Sequence, residues 1–530
     1  MSNHYDAIVI GGGHNGLVNA CYLAKAGLNT LLLERRHLVG GATITEELLK
    51  GFQFTTFSYA VSLLRPDIVE DLDLAKHGLM ILPMPNTFQP GYNGEYLLLG
   101  ADKDTNYHEI ARHSIEDAEG YRELGHLIDR VCFAIKPWMD RIPPNRVSRN
   151  PQDIAQVAEL KASMNGLDED VRTMLDKFCN CSAVDILDQY LESNIVKAMI
   201  ASSGIIGSHI SPRDPKSGLV WLFHKLGEYD GVSGDWGFHK NGNGGLTQVL
   251  ARAFESFGGT IRLESAVEKV TYNDEVATGV KLVDGTEFTA ETVVSALDPK
   301  RTFTELVDPI DMPSDLLNAI SSYKFQGSAS KVNFALSDVP TFPGLEGRSD
   351  IFQGFTNLGP SLEYLDAAWQ DCQAGRFSRR PFIDCCLQST VDPDMSPPGK
   401  HVLSCFVMYT PYELADSDWD AQRDNLGDTV EETLEEFFPG FRKLVLHREV
   451  VTPLDIERVV GLTEGNIFAG ELFGSQLFMN RPAPGWNQYR TPIRGYYQCG
   501  SGTHPGGCVT GGPGKLAAQQ ILNQSRNRNE

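Results

Sequence analysis

Three glycines in the run Gly11-Gly12-Gly13-His14-Asn15-Gly16 stand at the spacing GxGxxG. That spacing serves one kind of chemistry, the gripping of a pyrophosphate by backbone N–H groups. Gly11 permits a tight turn, Gly13 lets the main chain approach the phosphates, and Gly16 lets the following helix close on the preceding strand. Glu34 follows Gly16 by 18 residues, where a carboxylate accepts hydrogen bonds from ribose hydroxyls. A second glycine-rich run, Gly500 to Val509, holds His504, whose ordinary pKa suits proton transfer near neutrality. His504 is the first candidate for a protein acid or base, and shaping the turn with Pro505 is its competing role. His224, His239, Trp486, Tyr489 and Arg490 are candidates to line a substrate cavity, with core packing as the alternative for each.

These residues need elements that hold them in place. Ala7-Ile8-Val9-Ile10 is a short apolar run suited to a parallel strand buried on both faces, and it leads directly into Gly11. Leu17, Cys21, Ala24 and Leu28 recur at helical spacing, Gly27 ends the helix, and Thr30 to Leu33 reads as a second strand. From Arg65 to about Asp235 the pattern is helical, with Ser182-Ala183-Val184-Asp185 a capping box. Nucleotide-fold signals return from Gly237: a helix opening at Gly242 to Leu246, strands at Thr260 to Leu263, Val267 to Tyr272 and Gly279 to Leu282, and a buried strand at Val293 to Ala296. At the C-terminus a strand, the Gly500 run and a helix from Pro513 form the other half of one cofactor site. The expected fold is α/β: a Rossmann-type domain built from residues 1–65, 236–301 and 465–530, plus an α+β substrate domain. The latter takes 66–235, helix-rich, and 302–464, a mixed sheet.

Gly40-Gly41-Ala42-Thr43, a second glycine pair just past Glu34, selects FAD over NAD because it resembles the FAD-binding amine oxidase superfamily. Together with Ser295-Ala296-Leu297-Asp298-Pro299 and the Gly500 to Gly512 block, these motifs resemble the phytoene desaturase-like flavoproteins along nearly the whole chain. Arg481-Pro482 to Ile493 and Cys499 to Gly507 are most similar to the group of pyridine nucleotide-disulphide oxidoreductase domain-containing proteins. The resemblance implies FAD held non-covalently by Gly11, Gly13, Asn15, Gly16, Glu34, Arg35, Gly41, Ala42, Val267, Gly500, Gly507 and Val509. Thiol-disulphide chemistry is not expected: Cys21 stands alone where such reductases carry a CxxxxC pair, and a second GxGxxG for a nicotinamide is missing.

Composition narrows the partners. The 530 residues carry 46 Lys plus Arg against 69 Asp plus Glu, a net charge of −23 that repels nucleic-acid phosphate. Ten irregularly spaced cysteines show neither a disulfide framework nor zinc spacing, so no metal is expected. No apolar run reaches 18 residues and no leader pattern precedes the first strand, so a cytoplasmic location is expected. A peripheral contact with lipid through an apolar rim stays open, as does the oligomeric state. The expected function is hydride transfer to FAD from an apolar small molecule, a desaturation of a polyene or terpenoid-like substrate. Dioxygen, a quinone or a protein would reoxidise the flavin. The alternatives are a flavin oxidase acting on an amine or small ring compound, a redox-neutral polyene isomerase, and a flavin-binding regulatory protein.

Overall fold

The structure is a computed structural model that describes residues 3–229 and 232–529. Two seven-stranded sheets organise it. The first runs in the order Thr260–Arg262, Thr30–Leu33, His4–Ile10, Glu287–Ser295, Val276–Leu282, Val267–Asn273, and Tyr496–Gln498 also pairs with Glu287–Ser295. The strands Thr260–Arg262, Thr30–Leu33, His4–Ile10, Glu287–Ser295 and Tyr496–Gln498 are parallel neighbours. Continuous apolar runs such as Thr30–Leu33, buried throughout, suit a sheet covered on both sides. Helix His14–Lys25 covers one face and packs against the helices Asn243–Ser256 and Gly512–Asn529. The chain thus brings its first, middle and last parts to one nucleotide fold of Rossmann type. The capping box at Ser182 is present, with Ser182 Oγ accepting from Asp185 N at 3.0 Å.

The second sheet is ordered Val445–Val451, Ala329–Leu336, His401–Met408, Phe382–Cys386, Phe355–Leu358, Asn86–Pro90, Tyr96–Gly100. All its pairs are antiparallel except Phe355–Leu358 with Asn86–Pro90. Asn86–Pro90 and Tyr96–Gly100 are strands within the stretch after Arg65 whose sequence pattern reads as helix-rich. Tyr96–Gly100 alternates half-buried and buried positions, and that period of two belongs to a strand on the sheet edge. The helical layer follows, from Lys103–Ala111 and Ile115–Met139 to Ser217–Lys225. No helix among the described residues is long and apolar enough to cross a membrane.

Candidate functional site

One cavity of about 1000 Å³ joins the glycine turn of the first sheet to the face of the second sheet and the helical layer. Its nucleotide arm is lined by Gly11, Gly13, Asn15 and Gly16, by Glu34 and Arg35, by Gly41 and Ala42, and by Val267 and Val509. The local geometry explains the glycines. Gly11 has φ +98, and a Cβ on Gly16 would sit 2.1 Å from the Gly11 carbonyl oxygen, so the turn tolerates no side chain there. Gly13 differs: a Cβ on it would meet nothing within 4 Å, because it faces the open cavity.

The Glu34 carboxylate is held by two backbone donors, Gly12 N to Oε2 at 2.8 Å and Arg36 N to Oε1 at 2.9 Å. Each oxygen keeps a lone pair for a hydroxyl. Asn15 Nδ2 donates to Ser501 Oγ at 3.0 Å and ties the first turn to the C-terminal run. In the first turn of helix His14–Lys25, His14 Nε2 and Asn15 Oδ1 are buried without partners among the described residues, and both residues line the cavity. Orphaned polar atoms, free helix N–H groups and a glycine open to the cavity form a cradle suited to FAD, in which Glu34 would accept from ribose hydroxyls.

Other expected site residues lie elsewhere. Gly500 and Gly507 do not line the cavity; their Cβ atoms would stand 2.3 Å from Leu297 O and 2.6 Å from Phe468 Cα, so both allow close packing behind it. His504 is also outside the lining, which corrects its expected role as acid or base. Its ring is 1 % exposed, its Nε2 faces Trp138 O at 3.0 Å, and burial lowers its pKa to about 4. Tyr489 spends its hydroxyl on the His504 carbonyl at 2.8 Å, Trp486 packs beside the first sheet, and Arg490 is exposed. None of the three lines the cavity. His239 belongs to a separate pocket of about 270 Å³. His224 does line the main cavity, held through Nδ1 at 2.9 Å from Val220 O and brought by burial to a pKa of about 4.

A polar row in the other arm of the cavity was not singled out from the sequence. Lys331, Phe406, Asp384 and Asn357 are direct cross-strand partners on four neighbouring strands, and all four line the cavity. A row across a sheet faces one side, so the register alone aims them together. Lys331 Nζ donates to Ser404 Oγ at 2.5 Å and sits 4.0 Å from the centre of the Tyr59 ring. The Tyr59 hydroxyl donates to Asp384 Oδ2 at 3.0 Å, while Asp384 Oδ1 and Asn357 Oδ1 are buried without partners among the described residues. Burial raises the Asp384 carboxyl to about 7 despite Tyr59 and Lys331, and burial lowers the Lys331 ammonium to about 8. Two groups of opposite type are thereby poised near neutrality, where proton exchange costs least. A signal existed: Ala329–Leu336 is buried along its whole length, yet holds Lys331 and Asn333. A lysine in such a strand has to answer to something polar.

The family profile described as flavin containing amine oxidoreductase matches residues 95–522, and one described as NAD(P)-binding Rossmann-like domain matches residues 9–72. The mouse pyridine nucleotide-disulfide oxidoreductase domain-containing protein 2 is 38% identical over 552 residues, covering 99% of this chain and 95% of the mouse protein. A lycopene-forming phytoene desaturase of a Paracoccus species is 25% identical over 528 residues, covering 97% of each chain. Cyclohexylamine oxidase from Brevibacterium oxydans shares the fold, with a TM-score of 0.56 at 14% identity over 99% of this chain and 100% of that one. With the FAD cradle and with a profile match spanning well over half of its length, the chain belongs to the flavin containing amine oxidoreductase family and is an FAD-dependent oxidoreductase.

Proposed function

We propose that this oxidoreductase dehydrogenates a small molecule with an apolar body, a desaturation in which a C–H bond yields a hydride and a neighbouring C–H bond a proton. The observation that carries the reading is the row Lys331, Phe406, Asp384 and Asn357 on one wall of a cavity that also holds an apolar group of side chains and continues into the FAD cradle. When bound, FAD supplies the two-electron acceptor. The chain supplies position and a route for the proton. Leu63, Leu124, Ile128, Met199, Ile206 and Phe355 line the arm and exclude water. Asp384 takes the proton as carboxylate, with the Tyr59 hydroxyl bonded to the same oxygen and the Lys331 cation nearby to stabilise the ionised state.

An alkylammonium substrate fits this site less well. The aromatic face of Tyr59, where such a cation would rest, already carries Lys331 Nζ at 4.0 Å. Resemblance to a phytoene desaturase supports the same choice. The test is anaerobic reduction of the holoprotein: carotenoid precursors are expected to bleach the flavin band, and cyclic or primary amines to leave it. Bleaching by amines alone would overturn the reading. Reoxidation falls to dioxygen, a quinone or a protein acceptor; hydrogen peroxide matching product one for one in air identifies dioxygen.

Cys508 lines the nucleotide arm, and burial pushes its thiol up to about 12, so no thiolate is on hand to bond the flavin. Acid precipitation should therefore leave a white pellet and a yellow supernatant; a yellow pellet would show a covalent link.

A further inference from the structure

The cavity opens to solvent beside helix Ile115–Met139, where Arg122, His126 and Asp129 line it while remaining exposed. Just inside, helix Ser217–Lys225 presents Trp221, His224 and Lys225 to the cavity, spaced three and four residues apart and so on one helix face. Two of these carry unanswered donors. Trp221 is 1 % exposed and its Nε1–H has no partner among the described residues. A buried indole N–H normally finds an acceptor, and the described residues offer it none.

Lys225 is the second. At this mouth Lys103 pairs with Asp129 at 3.5 Å and Arg122 with Glu119, whereas Lys225 has neither ion pair nor side-chain hydrogen bond among the described residues. Asp129 and Asp235 act on it only from beyond ion-pair distance. Burial lowers its pKa, the cost of desolvating the ammonium outweighing the pull of those more distant groups.

We infer that the outer end of the substrate arm is a carboxylate site, in which Lys225 Nζ and Trp221 Nε1–H hold the anionic end of a substrate whose apolar remainder runs toward Lys331 and Asp384. The inference rests on reading this arm as the substrate site of the oxidoreductase. One unpaired cation with one neutral donor matches a monoanion. A phosphate monoester, nearly dianionic at neutral pH, would meet the repulsion of Asp129 and Asp235. With its acid end fixed at the mouth, the substrate has one orientation, and the bond presented to the inner polar row is set by its distance from the carboxylate.

The test compares dodecanoate, dodecanol and dodecyl phosphate by titration calorimetry on flavin-containing protein, with the flavin band recorded on every sample. The parent is expected to bind dodecanoate about tenfold or more tightly than dodecanol, the effect of a charge-assisted hydrogen bond, with dodecyl phosphate weaker than dodecanoate. Lys225→Met should bring the acid-to-alcohol ratio near unity, Lys225→Arg should keep most of it, and Trp221→Phe should weaken the acid several-fold while leaving the alcohol. Equal affinity for acid and alcohol in the parent, no binding of the acid, or an unchanged ratio in Lys225→Met overturns the carboxylate site. Tighter binding of the phosphate than of the acid overturns the choice of carboxylate. Samples lacking a flavin band would instead overturn the oxidoreductase reading, so the two failures are told apart.

Discussion

Replacing Gly13 by valine should give a folded protein that has lost its flavin. The position has φ −66 and ψ 167, a backbone conformation open to any L-residue, and its Cβ would meet nothing within 4 Å. The cost to folding is therefore small, and the new side chain stands where the main chain must approach the pyrophosphate. FAD affinity is expected to fall at least about 100-fold, roughly 2.8 kcal/mol at 1.4 kcal/mol per tenfold, with the circular dichroism spectrum unchanged. Gly16→Ala should fail differently. Its methyl group would press on the Gly11 carbonyl oxygen at 2.1 Å and break the turn itself, lowering the thermal midpoint as well as flavin content. A Gly13→Val protein that purifies with full flavin would contradict the placement of the pyrophosphate.

The second large effect is expected at Asp384. Its carboxyl titrates near 7, so the acceptor form is present above that pH, and the rate of anaerobic flavin reduction should rise through pH 7. Asp384→Asn should remove that limb and lower the plateau about 10²- to 10⁴-fold, the usual range for a general base. Lys331→Met should shift the limb upward, because the cation that favours the carboxylate is gone. Stability moves the other way. The folded pKa lies above the ordinary 3.8, so the folded state holds its proton longer than the unfolded state, and stability is lost as pH rises from about 4 through 7. Asp384→Asn should therefore melt higher than the parent at pH 8, with the gain shrinking toward pH 4. A purely structural carboxylate would change stability without moving the pH profile of flavin reduction.

The nucleotide half of the molecule was legible because its demands are local. The apolar run before Gly11, the glycine spacing and Glu34 all lie within 34 residues, and each answers to a backbone or packing constraint that a short segment expresses. The inner polar row was not legible, because Lys331, Asp384 and Asn357 are brought together by strand register across segments that are 53 and 27 residues apart. Nothing in any one segment records which partner it meets. Proximity in sequence misled in the opposite way at the C-terminus. His504 sits inside a glycine run whose Ser501 and Val509 line the cavity, yet its own ring turns to Trp138. Trp486, Tyr489 and Arg490, close before that run, pack away from the cavity for the same reason: a turn sends successive side chains in different directions.

The most direct test of an FAD cradle that shares one cavity with a proton acceptor is the anaerobic absorption spectrum of the purified protein. It would be taken before and after addition of a panel spanning carotenoid precursors, carboxylated polyenes and amines. The expected result is a yellow protein whose flavin band bleaches with a polyene, with or without a terminal carboxylate, and stays unchanged with amines. A colourless protein that takes up no added FAD, or one bleached by amines alone, would contradict it.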